Sequence, residues 1–134
     1  MLYKLPGYDA VIGMHDTVIE YFGGLNGLPH PEYVDAAIKR PETFMQYDDN
    51  CDLFLVCALI LDSLTRYHAF ADGNKRTALM ALLFTYNINA PDSDLRYSLV
   101  MNEKFEELVL DVARNKPGIK DIRDRFQKLV EEFS

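Results

Sequence analysis

Hydrophobic positions along this chain recur at helical spacing, and short polar breakers divide them. Val11, Met14, His15, Val18 and Phe22 form one stripe, which predicts a helix over Tyr8 to Phe22. Asp9 is placed to cap its start, and Gly23-Gly24 to end it. Two prolines and a glycine make Leu25 to Pro31 a loop. A short helix is expected over Glu32 to Ile38, interrupted by Lys39-Arg40-Pro41. Ile38 to Tyr47 has no clean period and reads as a short extended flap.

Asp52 to Tyr67 is the first strong element. Leu53 to Leu61 leaves almost no polar face, so this helix must be buried nearly all round. Thr77 to Tyr86 repeats the pattern with Ala78, Leu79, Met80, Ala81, Leu82, Leu83 and Phe84. Downstream, Phe105, Leu108, Val109, Val112 and Ala113 make an amphipathic stripe opposite a solvated acidic face of Glu103, Glu106, Glu107 and Asp111. Lys116-Pro117-Gly118 breaks the chain. Ile119, Ile122, Phe126, Leu129, Val130 and Phe133 form the last stripe. The expected fold is all-α, one domain over residues 1–134, with a central buried helical hairpin and the short flap before it.

Composition narrows the partners. The chain has 134 residues, 49% hydrophobic and 26% charged, the profile of one globular domain. Its net charge is −7. Nucleic-acid binders need clustered cations to replace phosphate counterions, so DNA binding by this chain alone is not expected. An anionic membrane is disfavoured for the same reason. Leu53 to Leu61 is the longest apolar run and too short for a bilayer span. Met1 to Gly7 has no apolar core, so it does not read as a signal peptide. Cys51 and Cys57 fall in the same predicted helix, nearly two turns apart and too far to bridge each other. The expected compartment is a reducing cytoplasm.

The candidate chemistry lies between the two apolar helices, in His68-Ala69-Phe70-Ala71-Asp72-Gly73-Asn74-Lys75-Arg76. Burial of both helices fixes this polar turn in place, and rigid elements support reactive groups well. Gly73 can take positive φ and let a ligand approach the backbone. Asn74 is a good N-cap, and the first N–H groups of the next helix favour an anion. Lys75 and Arg76 oppose the helix dipole there, a conflict that a bound phosphate relieves. Asp72 suits Mg²⁺, which keeps several waters and bridges to phosphate. The imidazole of His68 can take a proton from an attacking hydroxyl. Taken singly, each residue is also an ordinary cap, turn or solvated cation. Taken together, they suit transfer of a phosphate-containing group.

The same residues resemble the signature of the Fic/Doc superfamily, H-x-F-x-D/E-G-N-G-R-x-x-R. Lys75 stands where adenylylating members carry the second glycine, and Leu79 where they carry the second arginine. Both departures resemble the death-on-curing (Doc) toxin branch, whose loop reads N-K-R-T. Ile12-Gly13-Met14-His15-Asp16 and Tyr21-Phe22-Gly23-Gly24-Leu25 resemble that family's opening helix and its Gly-Gly stop. Asp52-Leu53-Phe54 resembles the start of the helix before the motif. The similarity covers roughly the first two thirds of the chain.

In the Doc branch the resemblance implies a protein kinase using ATP and Mg²⁺. A lysine in place of glycine fills the room for the inner phosphates, so the nucleotide binds reversed and presents its γ-phosphate. Carried over, His68 is the general base and Asp72 holds Mg²⁺. Gly73, Asn74, Lys75 and Arg76 hold the phosphates, and Phe70 anchors the loop. The implied target is a threonine of translation elongation factor Tu, and its modification stops protein synthesis. The flap, about Ala37 to Thr43, would hold the target peptide as an added strand. No inhibitory S/T-x-x-x-E-G/N helix motif is found, so a separate Phd-like antitoxin is the expected restraint. Two other readings stay open: a nucleotidyl transferase attaching AMP, and a non-catalytic binding module. His15, on an apolar stripe, reads as a satisfied core histidine.

Overall fold

The computed structural model describes residues 2–93 and 95–134. Met1, the first residue of the N-terminal stretch read above, lies outside them. Among the described residues there is no strand. The α-helices are α1 (Tyr8–Phe22), α2 (Pro31–Tyr47), α3 (Leu53–Tyr67), α4 (Asn74–Asn89), α5 (Glu103–Asn115) and α6 (Ile119–Phe133). A short 3-10 helix, Tyr97–Met101, precedes α5 and has no counterpart in the hydrophobic pattern.

The buried hairpin is α3 and α4. Every α3 residue from Val56 to Thr65 is buried, because α2, α4, α5 and α6 all pack on it. A stripe of apolar residues covers one partner only; an all-apolar helix must be surrounded. Phe126 of α6 is fully buried between Phe54 of α3 and Tyr86 of α4, with ring centroids 6.1 and 5.6 Å away. Burying a side chain of this size stabilises by about 1.5–3 kcal/mol. Both helices that carry the turn between them are therefore anchored in the core. No helix among the described residues is long and apolar enough to cross a membrane.

Three expectations change. The flap is absent: α2 continues without interruption from Pro31 to Tyr47, with Pro41 buried inside it. Proline removes one helical hydrogen bond and crowds the carbonyl four residues back. Tertiary contacts outweigh that cost here. Pro41 packs into the interior, and its neighbour Arg40 donates to Asp62 (2.6 Å) and Ser63 (2.9 Å) of α3. Without a strand at Ala37 to Thr43, no free edge exists there for an added strand. Asp9 does not cap α1; Gly7 is the N-cap and Asp9 sits in the first turn, where its charge still favours the dipole. Cys51 precedes α3 rather than lying within it. Both cysteines are free and buried, and burial raises both thiols, Cys57 far above the ordinary range.

Asp52 starts α3. Its carboxylate accepts the Leu55 N–H at 2.8 Å and pairs with Arg123 of α6. Burial opposes its ionisation, but the Arg123 and Leu55 hydrogen bonds hold the carboxyl below the usual range. Asp52→Ala is expected to lower stability by about 1 kcal/mol or somewhat more through the lost cap and pair. A depressed carboxyl contributes above its unfolded value of about 3.9 and loses that contribution as pH falls through the folded value. Urea titrations of both proteins at neutral pH and at decreasing acid pH check this: the gap should close below about pH 4.

Candidate active site

The motif loop hangs from the C-terminus of α3. His68 is the C-cap, with φ 53° and ψ 54°, and is exposed. A non-glycine residue in left-handed conformation is strained and needs surrounding support. That support starts with Phe70, buried beneath the loop. Its ring stacks on His15 of α1 at 3.8 Å between centroids, 6° from parallel. Its backbone N–H donates to Asn74 Oδ1 (3.1 Å), and its carbonyl accepts from Asn74 Nδ2 (2.9 Å).

Asn74 therefore does not cap α4. The N-cap is Gly73, at φ 77°, and Asn74 is already helical. Its amide is turned across the loop because the Phe70 backbone groups are buried and would otherwise be orphaned. The positive φ expected at Gly73 is present. A Cβ there would lie 3.2 Å from both Val18 and Ile19 of α1, so glycine also permits close packing of that helix.

Asp72 is fixed through α1 as well. His15 is buried and its Nε2–H donates to the Asp72 carbonyl at 2.7 Å. The Asp72 carboxylate accepts from the Gly73 N–H (2.9 Å) and the Leu25 N–H (3.3 Å). The loop after α1 runs beside the motif: His30 N–H donates to Ala69 O (3.1 Å) and Ala71 N–H to Gly27 O (3.0 Å). Sequence reasoning placed His15 as a satisfied core residue, and that is what it is. It did not find that His15 and Leu25 set the position of Asp72. The only signal was indirect, a histidine on an apolar stripe and a double glycine after it.

Asp72, Gly73, Asn74, Lys75 and Arg76 line one cavity of about 420 Å³. Its other walls include Leu79, Val100, Met101 and Val109, with Phe22 at the end of α1. The Arg76 guanidinium lies 4.1 Å from the Phe22 ring centroid, a cation–π contact that aims it. The cavity joins a cationic, N–H-rich helix start to a largely apolar wall, with the Glu106 carboxylate of α5 also in its lining. His68 lines a different cavity with Arg40, Asp62, Arg66 and Lys116. The structure thus gathers Asp72 to Arg76 on one cavity and gives His68 to the next.

Residues 5–85 match the Fic/DOC family, which covers most of α1 to α4. The chain belongs to that family. It is 43% identical over 122 residues to the protein named Protein kinase doc of Escherichia phage P1, covering 90% of this chain and 91% of that protein. It is 40% identical over 88 residues to Toxin Doc of Mycolicibacterium smegmatis, covering 61% and 68% respectively. The Fic/DOC match begins before α1 and ends within α4, so it includes both the motif loop and its α1 support.

Proposed function

We propose that this chain is a Doc-like toxin that works as a protein kinase, moving the γ-phosphoryl group of ATP to a Thr or Ser hydroxyl. The observation that carries this reading is the cavity lined by Asp72 to Arg76 at the N-terminus of α4, on the same loop that begins with His68. The names of the two relatives favour the same reading. The whole chain, residues 1–134, serves as one domain in it.

The residues fit the nucleotide. A cavity of about 420 Å³ is within the range that small-molecule sites occupy. Lys75, Arg76 and the first N–H groups of α4 suit phosphates, while Leu79, Val100 and Met101 suit an apolar ring. Leu79 stands where adenylylating members carry the second arginine, which disfavours the AMP-transferring pose. Mg²⁺ fits more sparely. Among the described residues no group of three His, Cys, Asp or Glu side chains could hold a metal together. Asp72 would be a single protein ligand, with phosphate and water completing the shell, as Mg²⁺ commonly accepts.

When bound, Mg²⁺ neutralises charge on the phosphates. His68 takes the hydroxyl proton as the acceptor oxygen bonds to the γ-phosphorus. Lys75 and Arg76 stabilise the charge that moves onto ADP as the bond to its bridging oxygen breaks. His68, an exposed left-handed cap, is open to an acceptor from solvent. The proposed acceptor is elongation factor Tu in the cytoplasm, and the proposed restraint is a Phd-like antitoxin.

Mass spectrometry of elongation factor Tu after incubation with the protein and Mg-ATP tests the reading. One added phosphate, absent with His68→Ala, is expected. An added AMP would overturn the kinase assignment in favour of nucleotidyl transfer. No modification of this or any co-incubated protein would favour a binding module.

A further inference from the structure

The cavity that His68 lines, distinct from that of Asp72 to Arg76, has a volume of about 590 Å³ and is open to solvent. Its walls come from α2, α3 and the end of α5, through Arg40, Asp62, Thr65, Arg66, His68 and Lys116. Arg40, Arg66 and Lys116 bring positive charge into a chain of net charge −7. Asp62, buried at the back, is paired with Arg40 at 2.6 Å and with Arg66 at 3.3 Å. It is the sole acidic side chain in the lining. The plain reading is that these cations neutralise Asp62 and the carbonyl ends of α3 and α5.

The charges do not close on that reading. Each helix C-terminus carries roughly −0.5 of a charge. Asp62 and the ends of α3 and α5 therefore offset about two of the positive charges, leaving about one. A second observation points the same way. Thr65 is 1% exposed, lines the cavity, and its Oγ1 has no hydrogen-bond partner. A buried hydroxyl without a partner is a donor awaiting an acceptor. One surplus positive charge and one free donor match a single carboxylate better than a phosphate dianion.

We infer that this cavity is an acceptor subsite, which takes one Asp or Glu side chain of the protein being phosphorylated. The inference rests on the kinase reading for its purpose, since a carboxylate held here places its neighbouring hydroxyl on the His68 side of the loop. It also replaces the added-strand docking that α2 denies. Arg66 and Lys116 attract the carboxylate, and Arg40 stays with Asp62 as the cavity's fixed wall.

The test uses the full chain and two N-acetylated, C-amidated pentapeptides, Asp-Gly-Thr-Gly-Asp and its counterpart Asn-Gly-Thr-Gly-Asn, followed by amide NMR without nucleotide. The acidic peptide is expected to shift Arg66, Tyr67, His68, Ala113 and Lys116. Its apparent Kd should rise about tenfold or more in Arg66→Glu/Lys116→Glu, both exposed residues of the lining. The Asn peptide should bind at least about tenfold more weakly. Equal shifts from both peptides, shifts confined to Gly73–Arg76, or the same pattern from inorganic phosphate at similar affinity would each overturn the subsite. Circular dichroism of the double variant guards against misfolding, and the Arg66→Gln single variant gives the same comparison with less charge change. Transfer from γ-labelled ATP is read separately. Transfer without preference for the acidic peptide overturns the subsite and leaves the kinase standing; acidic binding with no transfer to any protein does the reverse.

Discussion

His68→Ala is expected to slow phosphoryl transfer by about 10²–10⁴-fold, the usual worth of a positioned general base. The same change should move stability by less than about 0.5 kcal/mol, because His68 is exposed. The two effects separate because of where the residue sits. As the C-cap of α3 it holds φ 53°, a conformation that alanine tolerates no better than histidine. Glycine tolerates it freely, so His68→Gly should be more stable than the native chain by up to about 1 kcal/mol while equally inactive. Initial rates of label transfer and urea midpoints on the three proteins give both quantities. Retained transfer in either variant would remove His68 from the mechanism. A stability gain on losing the base is the signature of strain kept for function.

The helical hairpin was legible because its signal is one-dimensional. An apolar run from Leu53 to Leu61 has no solvated face, and burial follows without knowing the neighbours. The motif was legible for a related reason: its residues are contiguous, so spacing along the chain is also proximity. What escaped depends on contacts between distant segments. Pro41 reads as a breaker locally, yet its burial and the Arg40 contacts to α3 keep α2 whole. Asn74 reads as a cap locally, yet the orphaned Phe70 backbone claims its amide. The separation of His68 from Asp72–Arg76 into two cavities likewise depends on α5 and on the 3-10 helix before it. The support given by α1 spans 57 residues from His15 to Asp72 and leaves no local trace beyond a buried histidine and a Gly-Gly pair.

That Gly-Gly pair carries the other large effect. Gly23 has φ 79° and Gly24 φ 117°, so alanine is strained at either, by about 1–3 kcal/mol. They differ in what a Cβ would meet. At Gly23 nothing lies within 4 Å, whereas at Gly24 the Asp72 Oδ2 is 2.7 Å away and the Ile19 Cδ1 3.4 Å. No real Cβ sits at 2.7 Å from a carboxylate oxygen, so Asp72 or the turn must move. Asp72 is held by the Gly73 and Leu25 N–H groups and its carbonyl by His15, so moving it disturbs the whole loop. Gly24→Ala is therefore expected to resemble Asp72→Ala, with transfer reduced about 10²-fold or more and half-saturating Mg²⁺ raised about tenfold. Gly23→Ala should lose similar stability and keep its transfer rate wherever it is folded. Urea midpoints together with transfer rates across a Mg²⁺ series distinguish the two. Equal behaviour of the glycine variants would mean that backbone strain alone matters, and that the turn after α1 does not position the Asp72 carboxylate.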